Sequence, residues 1–177
     1  METTRTTLSS IGVGFTIAYV LLGTVPAKAQ GDCKELEKVL GDAMNQVHSI
    51  PTHVYTTAKV GTQTIATEII YASGSMYMMF NGKWMPAGSI KDSEQAMDRA
   101  KKNANANDTC SHPKDELVNG EIAAVYTSHS ETPKGKIDMK TWVSKAKGRL
   151  LRQDMDSDGG KSVMSSRYEY ENVKAPL

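Results

Sequence analysis

The sequence predicts an α+β fold: a curved antiparallel sheet, or half-open β-barrel, of about eight strands wrapped on two helices, in the order helix, four strands, helix, four strands. Three observations carry this reading. Apolar residues recur at helical spacing just after Asp32. Two long stretches rich in Val, Ile, Thr and Tyr then alternate with a period of two residues. No helical pattern separates consecutive strands, so the βαβ unit of a parallel sheet is missing.

The first element is one the folded domain is expected to lose. Leu8 to Leu22 is apolar apart from small polar residues, follows Arg5, and leads to Ala27-Lys28-Ala29, the small-x-small pattern read by a signal peptidase. Residues 1–29 are therefore expected to be a signal peptide cleaved near Ala29, and residues 30–177 a single domain in the periplasm or outside the cell. The stretch is short for a span of about 20 residues and no second one follows, so the mature chain is not expected to cross a membrane. Of the 177 residues, 148 remain after removal of the first 29, enough for one core. Without Arg5, Lys28 and Glu2 the 21 basic and 20 acidic residues become 19 of each. A neutral chain with no basic run is not expected to bind nucleic acid.

Asp32 with Glu35 forms a capping-box pattern, and Leu36, Val39, Leu40, Ala43, Met44 and Val47 share one helical face. Pro51 ends this helix. Four strands are expected near Thr52 to Val60, Thr62 to Ala72, Ser75 to Phe80 and Lys83 to Ala87, with Asn81-Gly82 as a hairpin turn. A second, thinly apolar helix is expected from about Lys91 to Asn105 on Met97, Ala100 and Ala104. Four more strands follow at Ile122 to Ser130, Lys136 to Ser144, Leu150 to Asp156 and Lys161 to Val173, with Gly-containing gaps of hairpin size. Alternation assigns Val54, Thr56, Ala58 or their neighbours, Ile65, Ile69, Met76, Met78, Phe80, Ile137, Met139, Val143, Leu151, Met155 and Val163 to the core.

Cys33 and Cys110 are the two cysteines, and in an oxidising compartment such a pair is expected to form one disulfide. The loop it closes is long, so the chain-entropy model credits it with roughly 4 to 5 kcal/mol.

Motifs for catalysis and cofactors are incomplete. Asp154-x-Asp156-x-Asp158-Gly159 copies the first half of a calcium loop, but Ser165 stands where the bidentate glutamate belongs, and two-residue alternation explains the aspartates as a solvent face. Gly160-Lys161-Ser162 lacks the glycine of a phosphate loop, which Met155 replaces. His48, His53, His112 and His129 have no spacing that argues for a catalytic group with Glu121, Asp115 or a serine. No enzyme activity and no cofactor are therefore expected. Met76, Met78 and Met79, with Met85 close by, admit three readings: plain core, the lining of a lipid-accepting cavity, or a soft-metal site. Trp142 reads as a core anchor whose ring N–H needs an acceptor. Trp84 reads as a residue at a cavity mouth.

The element order, the strand-turn-strand text Trp142-Val143-Ser144-Lys145-Ala146-Lys147-Gly148-Arg149-Leu150-Leu151-Arg152, and the closing text Arg167-Tyr168-Glu169-Tyr170-Glu171-Asn172-Val173 resemble the periplasmic lipoprotein-carrier (LolA/LolB-like) superfamily. The resemblance implies an unclosed barrel around helices with an apolar cavity, holding a lipid or the acyl chain of an acylated protein. It carries no binding residue over; the Met, Ile and aromatic residues Met76, Met78, Phe80, Trp84, Ile65, Ile69, Met139 and Met155 are the cavity candidates from alternation. The alternative function is a structural, protein-interaction or envelope-sensing domain of the same fold with a filled core. Metal binding ranks third.

Overall fold

The computed structural model describes residues 33–95, 107–132 and 135–176. The expected signal peptide lies outside these residues. Helix α1 spans Lys34–Ser49 and is followed by strands β1 (Thr52–Val60), β2 (Gln63–Ala72), β3 (Ser75–Phe80), β4 (Lys83–Ser89), β5 (Asn107–Val118), β6 (Glu121–Thr132), β7 (Gly135–Ser144), β8 (Leu150–Ser157) and β9 (Ser162–Glu169). Among the described residues the strands form one nine-stranded sheet in the order β4-β3-β2-β1-β9-β8-β7-β6-β5, every pairing antiparallel. It is two meanders joined where β1 pairs with β9. The sheet stays open, with β4 and β5 as its edges. No helix among the described residues is long and apolar enough to cross a membrane.

The start of α1 departs from the expected capping box: Cys33 is the N-cap residue and no side chain caps the helix. Cys33 is instead held by the expected disulfide to Cys110 on β5, with the two Cα atoms 5.3 Å apart. Glu35 and Glu37 sit in the first turn, where the exposed backbone N–H groups favour negative charge. The helix stops because Ile50, which precedes Pro51, is forced into extended geometry. Leu36, Ala43 and Val47 are buried, and Val39, Leu40 and Met44 pack partly buried beside them, so the whole predicted stripe faces the sheet.

β5 is the element that sequence pattern missed. Its text, Asn107 to Val118, is polar and contains Pro113, which as an edge strand it tolerates because a bulge between Ser111 and Lys114 takes that residue out of the ladder. The missed signal was Asn119-Gly120. Both residues have positive φ, 51° and 81°, as a two-residue hairpin turn requires. Of the second predicted helix, residues 90–95 are helical, and the remainder up to Asn105 lies outside the described residues. The last strand ends at Glu169 rather than Val173.

The core is narrower than predicted. Leu36, Ala43, Val47, Tyr126, Val143 and Leu150 form the cluster under α1, joined by partly buried Tyr71, Tyr168 and Tyr170. The Tyr170 hydroxyl donates to the Leu150 carbonyl at 2.8 Å and thereby ties the chain end over the sheet. A second, small cluster of Ala123, Val125, Trp142 and Leu151 lies on the opposite face. Leu151 was predicted for the principal core; the register shift between Trp142 and Val143 makes it the extra residue of a bulge and turns it to the other side. Trp142 is buried as expected, its Nε1–H donating to Glu116 at 2.8 Å while Lys140 and Arg152 lie over its ring. Ile65, Met78, Phe80 and Val163, predicted core residues, are exposed.

Candidate functional site

Residues that are Cα partners on neighbouring strands point to the same face, so the register shows what α1 shares its face with. Leu150, beneath α1, pairs with Val143, and Tyr168 with Val54, which in turn pairs with Ile69. Following the same face down the sheet, the next row is Thr141, Gln153, Ser166, Thr56 and Thr67. It is held by the Thr56 to Ser166 hydroxyl pair at 2.9 Å and by Gln153, whose amide donates to Thr141 at 3.4 Å. Below this hydroxyl row comes an apolar one: Met139, Met155, Met164, Ala58 and Ile65, each the partner of the next across five strands. Met78 pairs with Met85 and Ile69 on the β2 to β4 side, and Val60, Ile137 and Phe80 lie on the same face nearer the turns.

This lower half of the inner face is where α1 does not reach. Val60, Ile65 and Phe80 are 54%, 53% and 56% exposed, and Met85 and Met78 are 47% and 36% exposed. The pairing of β2 with β3 ends at Ile69 and Met78, so the tip of the β3–β4 hairpin stands free of β2 and leaves Ile65 and Phe80 uncovered. Exposed apolar side chains in contiguous rows are unusual on a protein surface and are typical of protein, membrane or ligand contact sites.

Seven of the eight predicted cavity residues, Ile65, Ile69, Met76, Met78, Phe80, Met139 and Met155, therefore share one face of the sheet. Trp84 does not. It pairs with Met79 and faces the other way, edge-on to His53 at 5.6 Å, where His53 also stacks on Tyr55 at 4.0 Å. Met164 belongs to the apolar row and was missed, because the sequence reading turned Val163 inward. A slip of one residue exchanges the faces of a strand, and the Ser-rich text around Met164 gave no alternation to fix the register.

A groove of about 550 Å³ over β5 to β9 is lined by Met139 and Met155 of the apolar row and by His129, Asp138, Lys140 and Asp154, which belong to the other face. Its ionisable groups already satisfy one another. His129 Nδ1 lies 2.7 Å from Asp138, Lys140 donates to Glu116 at 2.9 Å, and Arg152 donates twice to Asp154, at 2.9 and 2.7 Å. The Asp138 hydrogen bond, and after it that of Glu131, raises the His129 pKa above 6.5. The three aspartates of the calcium-like motif diverge: Asp154 takes Arg152 and Ser165, Asp156 accepts from the Gly160 N–H, and Asp158 from the Lys136 N–H. Among the described residues no group of three or more His, Cys, Asp or Glu could hold a metal ion.

His53 and His48 are also engaged. His53 Nε2 lies 2.9 Å from Glu68, and the buried His48 reaches Glu94 through Nδ1 at 2.9 Å, fastening the start of the second helix to the end of α1. Burial raises the pKa of Tyr71, and that of Tyr168 to about 12, so both phenols under α1 are neutral and the core end of the face carries no charge from them.

Among solved structures the chain resembles LprF from Mycobacterium bovis, with 12% identity, a TM-score of 0.46, and coverage of 81% of this chain and 96% of that one. It also resembles the Mycobacterium tuberculosis lipoprotein LppX, with 11% identity, a TM-score of 0.48, and coverage of 79% and 97%. The hypothetical lipoprotein YmcC from Escherichia coli matches at 13% identity and a TM-score of 0.35, over 80% and 98%. No protein-family model matches the chain, and no curated protein does.

Proposed function

We propose that this chain is an exported, non-enzymatic binding protein that holds an apolar ligand, a lipid or the acyl chain of an acylated protein, on the lower half of its inner face. One observation carries the reading. The methionine row and the side chains of Ile65, Met78, Phe80 and Met85 form an apolar floor that α1 leaves open. Covering such a floor with methylene groups contributes about 0.8 kcal/mol per group removed from water, so a long chain is held without any charged contact. Methionine suits this role because its flexible, polarizable side chain adapts to chains of different shape.

The test is native mass spectrometry with lipid extraction on protein purified from the periplasm with its disulfide intact. Co-purified phospholipid or acylated peptide, lost in Ile65→Asp, is the expected result. A clean apo mass with no uptake of added lipid would overturn the reading and favour an interaction domain instead.

A further inference from the structure

The turns at the open end of the sheet form a rim with its own chemistry. Val60 ends β1, pairs with both Gln63 of β2 and Ser162 of β9, and so brings the β1–β2 turn beside the β8–β9 turn. The Gly61 N–H donates to the Lys161 carbonyl at 3.2 Å and joins the two turns directly. The β3–β4 turn, Asn81-Gly82, points the same way, because β3 runs antiparallel to β2 and starts at its far end. Each of these turns pairs an exposed apolar residue with an exposed lysine: Val60 with Lys59, Phe80 with Lys83, and Val163 with Lys161.

The three lysines enter no ion pair among the described residues. The nearby carboxylates are engaged by other groups of the molecule. Asp156 accepts from the Gly160 N–H at 2.6 Å, Asp158 from the Lys136 N–H at 3.0 Å, and Glu131 pairs with Lys136 at 2.8 Å. Apolar side chains at turn tips among unpaired lysines are complementary to the headgroup and upper acyl region of an anionic bilayer. We propose that this end of the sheet docks on an anionic phospholipid bilayer, with Val60 and Phe80 entering the interface and Lys59, Lys83 and Lys161 lying at the phosphates. Docking there would set the open floor against the membrane. The assignment goes beyond ligand binding, since the lysines lie outside the apolar floor.

The experiment is co-sedimentation of the purified protein with vesicles of phosphatidylcholine containing phosphatidylglycerol, and with vesicles of phosphatidylcholine alone. Binding is expected to the anionic vesicles, to weaken as added salt screens it, and to fall roughly a hundredfold in Lys59→Ser/Lys83→Ser/Lys161→Ser, at about fivefold for each lysine. Val60→Ser/Phe80→Ser is expected to weaken binding as well. All five positions are exposed, and unchanged thermal unfolding of both variants would exclude misfolding as the cause. Equal binding to both kinds of vesicle, or no loss in the triple variant, overturns the proposal. So does self-association in sedimentation velocity that Val60→Ser/Phe80→Ser abolishes, without vesicle binding, since the rim would then cover a second copy. Lipid extraction from the triple variant separates the two readings: co-purified lipid retained while vesicle binding is lost assigns the lysines to docking alone.

Discussion

His129 shows how a residue that reads as ambiguous in sequence acquires one environment from its neighbours across the sheet. Asp138 is its Cα partner on β7 and Glu131 lies two residues along β6, so the imidazolium is favoured from both sides. A pKa raised on folding adds stability that is fully present below the unfolded value of 6.5 and is lost as pH rises through the higher folded value. An NMR titration is expected to place the His129 midpoint above 6.5, and in Asp138→Asn closer to it; an unchanged midpoint in that variant would remove Asp138 as the principal cause. None of this was legible from spacing. His129 and Asp138 are nine residues apart in sequence and meet only because the β6–β7 hairpin sets them opposite each other.

At the scale of elements, α1 was the most readable part of the chain and β5 the least. The helix announces itself through a stripe repeated over four turns, whereas β5 hides in polar text because it is an edge strand with little to bury. The disulfide joins these two, fastening the helix start to the edge across 77 residues of sequence. Replacing Cys33 and Cys110 by serine is expected to cost roughly 4 kcal/mol in urea unfolding, less if the denatured chain keeps structure. Gly135, which opens β7, is equally specific: its φ is +140° and an added Cβ would run into the Asp158 carboxylate. The hairpin gap there was foreseen as a turn, while the contact that demands glycine comes from the neighbouring β8–β9 turn.

Over the whole molecule, the inner face has two ends that differ in burial, separated by a row of hydroxyl and amide side chains. Leu150, fully buried under α1, belongs to the end that holds the fold. Leu150→Ala is expected to cost about 2 to 5 kcal/mol. Ile65, more than half exposed on the other end, is expected to accept Asp with a change within about 0.5 kcal/mol while ligand uptake is lost. Urea unfolding of the two variants checks this, and comparable losses of stability in both would mean that the lower floor is core after all.

The sequence by itself determined the strands other than β5, the helix face, the disulfide pair and the placing of seven of the eight cavity candidates on one face, because alternation and helical spacing are local. Tertiary structure alone decided which part of that face is core and which is floor. Burial depends on where α1 comes to rest on the nine-stranded sheet of the described residues, and α1 is too short to cover both ends. The turning away of Trp84, the inward place of Met164 and the bulge that moves Leu151 have the same origin. Register between strands is set by pairing partners distant in sequence, and a shift of one residue reverses every side chain that follows it.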